Sequence, residues 1–442
     1  MVNDWLYRHI DNSALCVFRI FFGLLITLES FGAILTGWVK QTLVLPSFTF
    51  SFINFSWLQP LPGNGMYIYF IIMGVCGIAV MLGYRYRLSM IAFTVLWAGV
   101  YFMQKSSYNN HYYLLVLLNL FMCFLPANRY FSLDVKQNPS LLKHSMPNWC
   151  RLIIIVQLTI VYVYASAAKL YPDWLDTTVM EILMRNKKDY VLIGGLLQQP
   201  WIHTFLAYGG ILFDLLVIPL LLWKPTRKWS FCIAVGFHLF NSIVFQIGIF
   251  PYMSLALCVF FFDSKFIQQL FFRNKTYYTE LELVIPKYKS PMIFVLSLFF
   301  LIQIGLPLRH WFIEDNVLWT EEAHRLSWRM MLRSKYGVAR YTVVDKKTQE
   351  KTIINLDDYL TKKQKNLASS RPDIIWQFAQ YLKNEFSLKN KDIAVYVDCR
   401  ISVNGRPLEV FVDNTIDLAS VQWNPLKHNT WILPSNQDYF TK

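Results

Sequence analysis

The chain has 442 residues, 55% of them hydrophobic and 17% aromatic, with a formal net charge of +14 and a mean hydropathy of +0.33. A chain this long and this apolar is excluded as a soluble globule and reads as a polytopic membrane protein. The charge does not imply a nucleic-acid partner, because the basic residues fall in short clusters between apolar runs, which is the pattern of membrane topology.

Met1 to Asn12 is polar, and the first apolar run is long and has no small-residue cleavage site, so it is expected to stay as a helix. With about 20 apolar residues per span as the ruler, the runs are Ala14 to Gly37, Gly65 to Gly83, Leu88 to Gln104, Tyr112 to Pro126, Leu152 to Leu170, His203 to Trp223, Trp229 to Gln246, Tyr252 to Phe262 and Pro291 to Leu308. The fourth and eighth are short, so the expectation is a polytopic α-helical bundle of eight or nine transmembrane helices.

Taking the N-terminus as cytoplasmic, every inner loop is basic. They carry Arg85 and Arg87; Arg129, Lys136, Lys143 and Arg151; Lys224, Arg227 and Lys228; and Lys265, Arg273, Lys275, Lys287 and Lys289. The outer loops are poorer, with Lys40, Lys105 and a mixed stretch from Asp173 to Asp189, as the positive-inside rule requires. Nine spans put the C-terminal region outside.

That region, 309–442, turns polar, with alternating runs at Arg340 to Val344, Ile393 to Val397 and Leu408 to Val412, and an Asn404-Gly405 hairpin signal. Pro372 to Leu382 has apolar residues at helical spacing. The expectation is a transmembrane domain over 1–308 and an extracytoplasmic β-rich domain over 309–442. The seven cysteines contain no CxxC and six lie in or beside apolar runs, so neither a disulfide framework nor a thiol redox centre is expected.

The costly residues share one level of this topology. Lys169 closes the fifth apolar run, followed by Pro172, Asp173 and Trp174. A lysine in lipid costs roughly 2.5–3.5 kcal/mol at a helix centre, so it either snorkels to the headgroups or faces a cavity. Asn109, Asn110 and His111 stand at the outer start of the fourth helix. His238 and Asn241 lie on one face of the seventh, Arg185 follows Lys169 in the outer loop, and His310 follows the ninth helix. Singly, Asn110 is a candidate helix cap, His238 and Asn241 candidate interhelical hydrogen bonds, and Asp214 either a partner for a cation or a protonated acid. Together they converge as an active site does. A lysine in an apolar cavity has its charged form disfavoured and can serve as a general base toward a lipid-soluble acid such as a quinol.

Several stretches resemble vitamin K-dependent gamma-glutamyl carboxylases. Ser106 to Leu114, SSYNNHYYL, resembles their SWNNHSYL, and VYASAAKLYPDW, ending at Trp174, resembles FIAGVKKLDADW. Phe237 to Tyr252 is similar to FHCMNSQLFSIGMFSY, and Trp423 to Pro434 to WSPFQRTSWVQP. Leu306 to His310, Trp319 and Ser327-Trp328-Arg329-Met330-Met331 follow LPxxH, W and SWDMM. The resemblance spans almost the whole chain and stops short of the long C-terminal extension of the animal enzymes.

It implies a lyase-type carboxylase that couples epoxidation of reduced vitamin K by O2 to addition of CO2 to a glutamate in a protein or peptide, with no metal. Lys169 would be the base, with Asn110 and His111 near the quinol and the developing carbanion. His238, Asn241, Trp328 and Met330 would hold the quinol, and Arg185, His310, Trp319, Ser327 and His428 the substrate. The setting implied is a bacterial inner membrane with menaquinol and a periplasmic C-terminal domain, or the endoplasmic reticulum in a eukaryote. The chain departs from the pattern at Ala168 and, with changes of charge, at Arg329, Arg333 and His428. Two rival readings stay open: a quinol epoxidase or oxygenase without carboxylation, and a transporter or scaffold of the same fold.

Overall fold

The computed structural model describes residues 2–435. In chain order its bundle helices are α1 (Ser13–Leu35), α2 (Gly65–Leu82), α3 (Tyr86–Met103), α4 (Asn110–Phe124), α5 (Trp149–Ala167), α6 (Pro200–Leu222), α7 (Arg227–Phe245), α8 (Phe250–Leu257) and α9 (Lys289–Leu308). Seven of these are long and apolar enough to cross a membrane. A bent pair, in which α8, prolonged to Phe260, meets Ser264–Phe271 at 117°, is either a broken eighth span or a re-entrant loop, and α4 is a shorter apolar helix. α1 and α2 pack with their backbones close. A Cβ on Gly23 would stand 2.3 Å from the Met81 nitrogen, and one on Gly77 would stand 2.5 Å from the Thr27 hydroxyl.

The two ends of the bundle are chemically distinct. At one end His9–Asp11 pairs with Ser145–Pro147, and the buried Lys275 ammonium sits 2.5 Å from Asp11. At the same end the Asp134 carboxylate takes the backbone N–H of Arg85 at 2.7 Å and of Tyr86 at 3.0 Å, and so caps α3. Arg227 meets Asp263 at 3.4 Å. These are the loops read above as inner. At the other end lie the loop after α1, the turn after α3 and the segment after α5, all in contact with the C-terminal sheet.

That sheet has four antiparallel strands, β1 (Lys335–Asp345), β2 (Lys351–Ile354), β3 (Ile393–Val403) and β4 (Glu409–Val410), in the order β2-β1-β3-β4. Ile393, Val395, Val397, Cys399, Ile401 and Val403 alternate along β3 and are all buried, the period-2 pattern of a strand with one covered face. The cover is α10 (Pro372–Ser387), which opens on a proline and buries Ile374, Ile375, Phe378, Ala379 and Leu382. Asn404 (φ 52°) and Gly405 (φ 77°) turn β3 toward β4 with both residues left-handed, as the Asn-Gly signal anticipates. The strand expected over Leu408 to Val412 is only two residues long; beyond it Phe411 still donates to the Cys399 carbonyl at 2.8 Å, and Val412 turns to bridge Ile432, both side chains entering the core. β2 was not expected.

Sheet and bundle are joined by buried contacts. The loop after α1 sends Phe50 into the sheet core and stacks Phe48 on Tyr381 at 3.8 Å. Asp373 of α10 holds Lys105 at 2.6 Å and also Arg325. Arg406, beyond the Asn-Gly turn, clasps Asp173 through both carboxylate oxygens, at 2.5 and 2.6 Å.

Candidate active site

Between α5, α6 and α7 lies a cavity of about 770 Å3. Its walls are mainly apolar, with Leu183, Leu206, Phe213, Phe237 and Phe240 among the lining residues, and the size suits a drug-sized or quinone-sized ligand. The polar side chains among the lining residues are few: Lys169, Asp214, His111, His238, Asn241 and Ser230, with the polar-tipped Tyr162 and Trp174.

Lys169 lies just past the end of α5, in the turn that Pro172 converts into the short helix Pro172–Leu175. Its ammonium is buried, donates to the Asp214 carboxylate of α6 and to the Ala165 carbonyl at 3.2 Å, and stands 5.6 Å from the centre of the Trp174 ring. Of the two readings left open for Asp214, the structure shows a paired acid, and of the two for Lys169, a cavity-facing one.

His111 stacks on Phe250 at 4.0 Å and also borders a second, smaller cavity of about 240 Å3 lined by Asn109, Tyr112 and Gln246. His238 is buried. Its Nε2 pairs with the Tyr162 hydroxyl at 3.1 Å, while its Nδ1 has no hydrogen-bond partner among the described residues. Asn241, three residues on, lines the same wall.

Asn110 is not the helix cap. Asn109 is, its side chain accepting from the Tyr112 N–H at 2.7 Å, because a cap needs the extended backbone that Asn109 has and the first helical residue lacks. Asn110 is thereby free to accept from the Tyr108 hydroxyl at 2.8 Å and to donate to the Arg329 carbonyl at 3.0 Å, tying α4 to the segment that carries Met330. Met330 and Met331 line the large cavity.

The other expected residues stand away from its lining. Trp328 is buried against Tyr113 at 4.8 Å in the bundle core. Ser327 donates to the Ala323 carbonyl at 2.7 Å and fixes its own loop. Trp319 is in the sheet core, its indole donating to the Leu433 carbonyl at 2.8 Å. His428 meets Glu322 at 2.8 Å, and His310 meets the Pro307 carbonyl at 2.7 Å. Arg185 ends the helix Thr178–Arg185, whose Val179, Met180 and Met184 are buried, and pairs with Glu181 one turn back, its own side chain 68% exposed. Trp174, Phe250, Met331 and Tyr162 were missed by the sequence reading. Trp174, Phe250 and Met331 lie within the stretches that resemble the family, whereas Tyr162 had only its place in an apolar run as a signal.

The fold thus defines a polytopic membrane protein with a large, mainly apolar cavity among its helices. Residues 7–266, more than half the chain, match the HTTM domain, and residues 288–438 match the vitamin K-dependent gamma-carboxylase lumenal domain. The chain belongs to the vitamin K-dependent gamma-carboxylase family, whose carboxylase-type function implies reduced vitamin K, oxygen and a glutamate-containing protein substrate. No solved structure matches it.

Proposed function

We propose that the protein is an integral membrane enzyme that couples epoxidation of a naphthoquinol by O2 to carboxylation of a glutamate in a protein or peptide. The observation that carries this reading is Lys169, buried with Asp214 in an apolar cavity bordered by His111, His238 and Asn241.

The residues suit a naphthoquinol. The cavity, about 770 Å3 and mainly apolar, has the volume and lining for a fused ring and part of a polyprenyl tail, and the His238 Nδ1 and the Asn241 amide offer hydrogen bonds to ring oxygens. When bound and oxidised by O2, the quinol supplies a base strong enough to take the glutamyl γ-proton.

Lys169 and Asp214 form a buried, hydrogen-bonded pair at the cavity wall. With the proton on Asp214, the Lys169 nitrogen has a free lone pair and can take the hydroxyl proton of the quinol. Asp214 and the Ala165 carbonyl hold that nitrogen in place. Asn110 acts one layer back, by fixing the backbone next to Met330, and the apolar walls keep water from the reacting centre.

We place the basic end of the bundle in the cytoplasm and the sheet-bearing end outside it, with the domain boundary at Leu308. The support is the clustering of Arg85, Arg129, Lys136, Lys224 and Lys275 in the loops of one end. In a bacterial inner membrane the sheet is then periplasmic.

The test is an assay of the purified chain with reduced vitamin K, oxygen, labelled bicarbonate and a short glutamyl peptide, beside Lys169→Ala. Epoxide and incorporated label, both lost on substitution, support the reading. Epoxide without label indicates an oxygenase, and neither product overturns the assignment.

A further inference from the structure

The three charge changes against the family pattern, Arg329, Arg333 and His428, are treated differently by the structure. Arg333 puts its Nε 2.5 Å from Glu321 and its Nη2 on the same carboxylate, which Arg371 also reaches. Burial alone would raise the Glu321 carboxyl, but Arg333, Arg371 and Lys335 outweigh it and hold it well below its usual range. His428 has Glu322 at 2.8 Å, and Asn429 donates to that same carboxylate. Two of the changes thus come with carboxylates of this chain.

Arg329 does not. Among the described residues it has no carboxylate partner. Its Nε is enclosed without a hydrogen bond, and its Nη1 reaches only the His310 Nε2, at 3.5 Å. The neighbouring acids are taken, Asp373 by Arg325 and Lys105, Glu321 by Arg333, Arg371 and Lys335. Burial and the Arg333 charge push the Arg329 guanidinium down to about 10, so it still carries its charge at neutral pH. Glu321 acts on Arg329 only at a distance, and a half-buried guanidinium with no carboxylate in contact gains from an anion that reaches it.

Its position gives the anion a role. The Arg329 carbonyl accepts from Asn110, the next two residues line the large cavity, and Tyr171, two residues after Lys169, is tied to the Leu332 carbonyl. Arg185, the arginine that the resemblance assigns to the substrate, has an exposed side chain already paired with Glu181.

We propose that Arg329, with His310 beside it, is the subsite for the side-chain carboxylate of the substrate and the residue that selects glutamate over glutamine. This rests on the carboxylase reading, and a planar carboxylate is what a guanidinium fork matches. Bicarbonate offers the same chemistry, so the test separates the two.

The full chain is placed in nanodiscs, and the Kd of a fluorophore-labelled glutamyl peptide is compared with that of its glutaminyl counterpart. This needs no turnover, so its failure is distinct from a failure of the epoxidation and labelling assays. The wild type is expected to prefer the glutamyl peptide by about 10- to 100-fold. Arg329→Gln is expected to bring that ratio to about one, and Arg329→Lys, which keeps charge but loses the fork, to an intermediate value. The ratio is read within each folded variant, and Arg329→Lys carries the test if Arg329→Gln does not fold. A wild type without preference, variants with the wild-type ratio, or competition by bicarbonate but not by glutamyl peptide would each overturn the proposal.

Discussion

The Lys169 ammonium and the Asp214 carboxylate, 45 residues apart in sequence, meet inside the apolar cavity. Both are buried, so removing either leaves the other without its partner in a low-dielectric site. The expected cost is about 3–5 kcal/mol of stability for Lys169→Met or Asp214→Leu alone. The double variant Lys169→Met/Asp214→Leu is expected to recover most of the lost thermal stability while forming no epoxide. Melting temperature and epoxide yield, measured on the four proteins, check this; a double variant as unstable as the sum of the singles would deny the pair.

Asp214→Asn asks a different question, since it keeps the shape and removes the carboxylate. The lysine nitrogen then loses the group that both places it and exchanges a proton with it. Turnover is expected to fall by roughly 100-fold, the scale of a misplacement of about 1 Å at a reacting atom, with little change in quinol affinity. Single-turnover epoxidation at saturating quinol is the measurement, and a wild-type rate would remove Asp214 from the reaction.

What the sequence disclosed and what it withheld divide along one line. Lys169, His111, His238 and Asn241 were visible because a polar group in an apolar helix is costly wherever it points. Their convergence on one cavity follows from the shared level of the topology, which hydropathy and basic loops fix. Pairings such as Asp214 with Lys169, Asp373 with Lys105 or Asp173 with Arg406 join residues far apart along the chain, and no periodicity encodes them. The entry of Phe48 and Phe50 into the sheet core was hidden for the same reason. The helix Lys362–Ala368, by contrast, carries a capping box at Thr361 and Gln364 that was there to be read. Trp319 and Ser327 match family motifs, yet their contacts are internal, a reminder that a motif marks packing as readily as chemistry.

Trp319 therefore separates motif from role. Its ring packs edge-on to Phe411 at 5.4 Å and its indole holds the Leu433 carbonyl. Trp319→Ala is expected to destabilise the sheet by about 3–5 kcal/mol. Trp319→Phe, losing mainly the hydrogen bond, is expected to cost about 1 kcal/mol and to leave the glutamyl-peptide KM near wild type. Chemical denaturation and peptide titration of the Phe variant test it, and a selective rise in KM would return Trp319 to the substrate site.

The junction of bundle and sheet should respond to acid through Asp373. Burial would raise its carboxyl, but Arg325 and Lys105 outweigh burial and hold it at about 2, against about 4 in an unfolded chain. A carboxyl depressed in the folded state stabilises above its unfolded value, and the contribution fades as pH falls through the folded one. About 2 kcal/mol is thus expected to disappear between about pH 4 and pH 2. Asp373→Asn, already less stable at neutral pH, should lose less over that window. Thermal unfolding against pH for the two proteins decides it, and parallel curves would place the acid sensitivity elsewhere.

The cavity can be filled without disturbing the helices that form it. Gly210 of α6 and Gly236 of α7 both line it, and a Cβ built on either meets nothing within 4 Å. Alanine at these positions is expected to fold as well as wild type, since a helix interior favours alanine over glycine by about 1 kcal/mol and neither Cβ meets a neighbour. Leucine at either position projects its branched end into the space assigned to the quinol. Gly210→Leu and Gly236→Leu are therefore expected to raise the quinol KM by at least about 10-fold, while the glutamyl-peptide Kd, read without quinol, stays within about twofold. The effect requires the lipid-phase ligand to occupy this cavity and not the smaller one beyond His111. Leucine variants that fold and keep the wild-type quinol KM would show that the ring binds elsewhere.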